Sequence, residues 1–297
     1  MTPLPTVRLA LGLRSTAQSL GVIGRDAGVF REQGLELVIA REETAGPEGV
    51  RGLVAGEYDL AEFGAVPLVQ AVYEGHDPVI LLAAEQTNAM YLLGAARIGG
   101  PRELAGQKIG VLSAAGQTGV SAAAMLDKWA LPRADVELVE LGTYPAIYRA
   151  LQDDRIAAGV LTADYGVAGS VAFGLHRLAD LGEELQFQGP IVATTRRYAR
   201  AHPDLVQRAV TAYVRTIELF NDQPQRVLAS VQRHLGFLDH AQALAVHDFY
   251  SRRFQRQPHP SAAGVQRVID LYADGSRPPL RLEDVWDRTF LDRSLSA

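Results

Sequence analysis

The chain opens with "TVRLALGL" (Thr6–Leu13), an apolar run too short for a core helix, which predicts a buried strand. It gives way to the polar stretch Arg14–Ser19 and then to "LGVIGRDAGVFREQG", whose apolar positions suit one helix ending at Gly34, a residue type that closes helices. "LELVIA" (Leu35–Ala40) predicts a second strand. After the loop "REETAGPEG" come a helix over "VRGLVAGEY" and a strand over "DLAEFGA" that stops before Pro67. The same succession returns from Gln107. "KIGVL" is a strand, "SAAGQTG" a loop and "VSAAAMLDKWAL" a helix closed by Pro132. "VELVEL" (Val136–Leu141) is a strand, "GTYPA" a loop, "IYRALQDDR" a helix, and "IAAGVLTADYG" holds a further strand. "LELV" answers "VELV", and Arg51 and Leu53 correspond to Arg149 and Leu151 at a constant offset of 98.

Strands alternating with helices over short loops specify a mainly parallel sheet covered on both faces. The repeated plan therefore predicts an α/β fold of two lobes, each a mainly parallel sheet flanked by helices. The alternative is one large doubly wound domain. "NAMYLLGAARI" (Asn88–Ile98) and "GPIVATTRRY" (Gly189–Tyr198) read as hinge strands leading out of the first lobe and back into it. That assigns 1–94 and 195–297 to the first lobe and 95–194 to the second. Beyond Tyr198 the pattern is helical, with Pro203, Pro224 and Pro260 near helix starts, where a missing N–H costs little. This helical C-terminal tail is expected to pack on the first lobe.

Composition narrows the chemistry. A net charge of −5 with no basic stripe argues against nucleic acid as a partner. The absence of cysteine excludes disulfides, thiolate metal sites and a cysteine nucleophile. No window approaches the ~18 apolar residues of a membrane span, so no membrane insertion is expected. The start, "MTPLPTVRLALGL", lacks the pattern of an export leader. Two expectations about location follow: periplasmic if a leader has been removed, cytoplasmic if Met1 is the native start. None of the seven histidines falls in a strand-end loop, and neither G-x-S-x-G nor a phosphate loop occurs. No metal and no cofactor are expected.

Taken together, "AGVFREQGLELVI", "GLVAGEYDLAEFGAVPLV", "LAGQKIGVLSAAGQTG", "LGTYPAIYRALQDDRIAAGVL" and "VATTRRYARAHPDLVQRAVTAYVRTIELFN" resemble the type II periplasmic substrate-binding proteins. The branch is that of sulfonate, nitrate and taurine binders and thiamine-pyrimidine-synthase-like domains, and the likeness covers roughly residues 7–275. It implies a cleft between the lobes that closes on a small molecule, a monomer, and a membrane permease of an ABC transporter as partner. Its pyridoxal-phosphate branch uses a cysteine-rich motif that this chain lacks. A cytoplasmic enzyme of lyase or decarboxylase type, or a sensor, is the alternative on the same scaffold.

Ligands of such sheets are held by loops after the strands. In "SAAGQTG", small residues would let backbone N–H groups and a helix N-terminus approach an anion, through Ser113, Gly116, Gln117, Thr118 and Gly119. A plain helix cap from Ser113 or Thr118 is the alternative. After the first strand come Arg14, a carboxylate or sulfonate partner if not merely a surface residue, with Ser15, Thr16 and Gln18. Phe63, Gly64 and Ala65 end the third strand. Glu43 and Thr44 lie in a loop that, with Arg41 and Glu42, is more charged than the resemblance implies. Its carboxylates either face solvent or select an amine. In the second half, Thr143, Tyr144, Thr162, Asp164 and Tyr165 offer rings, hydroxyls and an acceptor suited to an organic ligand, and Gln188 lies before the return hinge.

Overall fold

The computed structural model describes residues 3–42, 45–167, 174–273 and 278–296. They form two compact units: Met1–Gln86 with Gln188–Ala297, and Thr87–Phe187. In the first, β1 (Thr6–Ala10), β2 (Glu36–Arg41), β3 (Leu60–Gly64), β4 (Pro78–Leu82) and β10 (Pro190–Thr195) build a sheet of order β2-β1-β3-β10-β4. β1 runs parallel to β2 and β3, while β10 is antiparallel to both β3 and β4. Every residue of "LAEFG" and "PVILL" is buried, as expected of strands covered on two faces.

Four helices fill the connections between these early strands. The single helix expected over residues 20–34 is two, α1 (Leu20–Asp26) and α2 (Val29–Glu32), because Gly28 adopts a left-handed φ of 83° and breaks the ladder. α3 (Gly46–Ala55) begins ahead of the expected "VRGLVAGEY", with Pro47 in its first turn, and Gly56 at φ 79° ends it. α4 (Ala65–Tyr73) and β4 were not legible as elements. Pro67 is tolerated in the first turn of α4, where its missing N–H would have had no intrahelical partner.

The second unit repeats this plan. β5 (Met90–Gly94), β6 (Lys108–Val111), β7 (Glu137–Glu140), β8 (Ala158–Thr162) and β9 (His176–Asp180) form a sheet of order β7-β6-β8-β5-β9. β6 is parallel to β7 and β8, and β5 is antiparallel to β8 and β9. α5 (Gln117–Lys128) and α6 (Tyr144–Gln152) flank it, α6 starting 98 residues after α3. The two segments expected as hinge strands are full sheet members. β5 pairs along its length with β8, and β10 occupies the corresponding fourth place in the first sheet. The division of the chain accordingly falls after Gln86 and before Gln188, not at residues 94 and 194.

The tail helices Pro203–Asp222, Pro224–Leu235, His240–Ser251 and Ala262–Asp270 all belong to the first unit. Pro203–Asp222 lies against α1 and α2, and its Tyr213 meets Phe30 of α2 edge-on with ring centroids 5.4 Å apart. Pro203 and Pro224 open their helices, and Pro260 precedes Ser261, whose hydroxyl caps Gly264 N. Among the described residues, no helix is long and apolar enough to cross a membrane.

Candidate functional site

In the first unit, the segment after β1 turns through a single 3-10 turn, Thr16–Gln18, into α1. Ser15, Thr16 and Gln18 are all buried. Ser15 Oγ is buried with no hydrogen-bond partner among the described residues. The Gln18 side chain lies over Gly12, where a Cβ would meet Gln18 Oε1 at 1.8 Å and Glu62 O at 2.6 Å, so only glycine fits. α1 is anchored from β3: Gly21 N–H and the Tyr213 hydroxyl each donate to Glu62 Oε1 at 2.7 Å. Burial pushes the Glu62 carboxyl up to about 7, against the lowering effect of its hydrogen bonds from Tyr213, Gly21 and Leu20. Sequence reading passed over Glu62 for its neighbours Phe63, Gly64 and Ala65. The available signal was a lone acid inside an otherwise apolar strand. Phe63 and Ala65 are core residues and Gly64 is the N-cap of α4.

Arg14 lines a cavity of ≈170 Å³ with Glu42, Asp26, Arg25, Arg233 and His234. Burial works to raise the Asp26 carboxyl, but hydrogen bonds from Arg233, Ser230 and Arg25 outweigh it and hold it below its ordinary value. Glu43 and Thr44 lie outside the described residues. Gln188, expected to reach a ligand, is fully buried with both ends of its amide engaged. Nε2 donates to Glu85 O at 2.9 Å, and Oε1 accepts from Ser261 N–H at 2.7 Å.

In the second unit, α5 starts at Gln117, capped by Gly116 in extended backbone. Gln117, Thr118 and Gly119 are thus its first turn and not loop, and small residues there kept the periodicity from showing. Thr118 Oγ1 accepts from Leu112 N–H at 2.9 Å, and Val120 N–H, at 3.0 Å from Gly116 O, begins the intrahelical ladder. The N–H groups of the turn before it have no acceptor within the helix. Two other amides of the loop are already engaged: Gly116 N–H donates to Ser113 O at 3.3 Å, and Ala114 N–H donates to Glu140 Oε1 at 2.5 Å. The glycine that the loop requires is Gly119, where a Cβ would stand 2.3 Å from Ala114 O and 2.5 Å from Ser113 O.

Thr143 caps α6 by accepting from Ala146 N–H at 3.3 Å. At the end of β8, Thr162 Oγ1 donates to Asp164 Oδ2 at 2.8 Å, and both residues are buried. Tyr165 gathers Tyr144 and Tyr148 around it with ring centroids 5.7 and 5.5 Å away. Burial, with the Asp164 charge, raises the Tyr144 hydroxyl well above its ordinary value and keeps it neutral. The second unit thus has two kinds of groups at its strand ends: helix-start amides after β6, and rings with a carboxylate after β7 and β8. Tyr148 was missed, although it sits four residues after Tyr144, one turn along the same helix face.

The NMT1/THI5-like family model matches residues 19–227 of the chain. No curated protein sequence matches it. Several solved structures share its fold over nearly the whole length. A protein of Bordetella bronchiseptica RB50 is 17% identical with a TM-score of 0.84, covering 98% of this chain and 97% of its own. The alkanesulfonate-binding protein SsuA from Xanthomonas axonopodis pv. citri, bound to MOPS, is 20% identical with a TM-score of 0.76, covering 96% and 99%. The periplasmic aliphatic sulphonate binding protein SsuA from Escherichia coli is 20% identical with a TM-score of 0.72, covering 96% and 92%. The fold is that of the periplasmic binding proteins.

Proposed function

From the premise that the chain belongs to the NMT1/THI5-like family, we propose that it is a solute-binding protein that captures a small polar or anionic organic molecule at its strand-end loops. The observation that carries this reading is the turn from Leu112 into α5. It is shaped so tightly that Gly119 admits no side chain, and it sets the start of a helix of 12 residues directly after the loop. Backbone N–H groups and the helix dipole favour an anionic group by about 0.3–1 kcal/mol, and more when partly buried. Sulfonates enter as candidates because two structural neighbours are sulfonate binders by name. The rings of Tyr144, Tyr148 and Tyr165 suit the organic body of such a ligand. The partner is then a membrane permease of an ABC import system.

A thermal-shift and calorimetric screen over alkanesulfonates, taurine, aromatic carboxylates, pyrimidines and amines tests the proposal. A true ligand at 100 times its dissociation constant stabilises the protein by about 2.7 kcal/mol. Gly119→Ala, which forces a Cβ against the loop backbone, is expected to weaken that ligand at least tenfold. A hit that Gly119→Ala binds as tightly as the parent chain would sink the amide-cradle reading, and a screen without any hit would sink capture itself. An enzyme or sensor on this scaffold draws support from one observation, the Glu62 carboxyl held at about 7, where acid–base groups work. Turnover of a hit, lost in Glu62→Gln, would establish that second reading.

A further inference from the structure

The first unit has a second cavity, of ≈320 Å³, at the other end of its sheet from the strand-end loops. Its residues fix the location: Asp59 directly precedes β3, Arg8 lies on β1, and Thr195 ends the antiparallel β10. We propose that this cavity is a binding site for a planar organic monoanion of the aromatic-carboxylate class. The inference is independent of the capture function above.

Charge balance comes first. The Arg8 guanidinium grips Asp59 with two bonds, Nη2 to Oδ1 at 2.7 Å and Nε to Oδ2 at 3.2 Å. The Arg8 peptide N–H adds a third at 2.8 Å. Its remaining reach goes to the backbone, with Nη1 on Glu57 O at 2.8 Å and Nη2 on Gly56 O at 3.1 Å. That pair neutralises itself within the cavity lining. Arg197 is different. Its guanidinium donates to Val54 O at 3.0 Å and has no carboxylate within ion-pair distance among the described residues. The nearby Asp77 receives the Arg197 backbone N–H instead, at 2.9 Å. One uncompensated positive charge therefore borders the cavity, with most of its planar N–H fork unused, the arrangement that favours a carboxylate.

The walls supply the second half. Tyr198 and His202 lie with ring centroids 4.7 Å apart, tilted 45° to one another, and Tyr58 lines the cavity with its hydroxyl tied to Gly49 O at 2.7 Å. Burial, with the Asp59 charge, pushes the Tyr198 hydroxyl up to about 12, so it stays a neutral donor and acceptor. Aromatic faces, a neutral hydroxyl and the Arg197 guanidinium describe the complement of a ring bearing one carboxylate. The volume, at the lower end of small-molecule pockets, limits the guest to about one ring.

Isothermal titration of the full chain with benzoate and 4-hydroxybenzoate tests the site, with methyl NMR of Leu53 and Ala201, which also line it. Expected are saturable one-to-one binding, movement of both methyl signals, and at least tenfold weaker binding in Arg197→Ala and Arg197→Glu. Arg197 is exposed, so both of its variants should melt like the parent chain. Absence of saturable binding overturns the proposal. So does binding that neither Arg197 variant weakens, or binding that leaves the Leu53 and Ala201 signals in place.

Discussion

Glu62 sits on a strand whose five residues are all buried, its Oε1 shared between the start of α1 and the Tyr213 hydroxyl. Its carboxyl is raised from an ordinary 4.5 to about 7, chiefly by burial. Below about pH 4.5 the group is protonated in folded and unfolded chains alike, and the folded state carries no penalty from it. As pH rises toward 7 the unfolded chain releases that proton while the folded chain keeps it, so stability declines across this window and levels off above it. A shift of this size corresponds to about 3 kcal/mol. Unfolding free energies from urea titrations between pH 4.5 and 8 should fall by that much more for the parent chain than for Glu62→Gln. Parallel curves would mean that Glu62 ionises normally. At this scale the sequence was partly legible. Ser15, Thr16, Gln18 and Gly119 lie at strand-to-helix junctions, where their position in the pattern put them, and they are tightly packed there. Glu62 was passed over, and the contacts of Gln188 were not legible, because a side chain's partner depends on segments far along the chain. For these two the partners are Tyr213, and Glu85 with Ser261.

Elements were readable where one face meets water and obscure where none does. α3 and α6 show helical spacing and were found, with starts displaced by prolines and small residues. α4 and β4 are apolar nearly throughout, so neither a period of 3.6 nor one of 2 stands out. β9, "HRLAD", is polar for a strand and holds its place mainly by pairing with β5. The break between α1 and α2 offers a clean measurement. Gly28 has a φ of 83°, and a Cβ there would meet nothing within 4 Å. Its requirement is therefore one of backbone conformation alone. Gly28→Ala should cost about 1–2 kcal/mol by denaturant unfolding, and Gly28→Asn distinctly less, since asparagine visits the left-handed region more readily. Equal losses in the two variants would point to a contact and not to the backbone.

For the whole molecule, the repeated order of patterns was the most informative feature of the sequence. Both sheets carry a parallel trio, an antiparallel fourth strand and an outer fifth. What the repeat could not reveal was which sheet each linking strand joins, because β5 and β10 read alike as buried runs. The unequal continuity of the units has a kinetic consequence. Thr87–Phe187 is one uninterrupted stretch, whereas the first unit needs residues from both ends of the chain and closes its sheet only when β10 enters between β3 and β4. Shorter loop closure should let the continuous unit form first. Pulse-labelled hydrogen exchange during refolding is expected to show amides of β5, β6 and β8 protected before those of β10. Simultaneous protection would argue for a single cooperative nucleus.

The amide of Gln188 has a last implication. Its bond to Glu85 O ties the point where the chain departs from the first sheet to the point where it comes back. Residues 87–187 are thus spliced into their host at a single seam. An engineer could excise them, join Gln86 to Gln188 through a brief glycine linker, and retain every strand pairing of the host. The same seam would accept a foreign module whose own ends lie close together, making the first unit a chassis for exchangeable inserts.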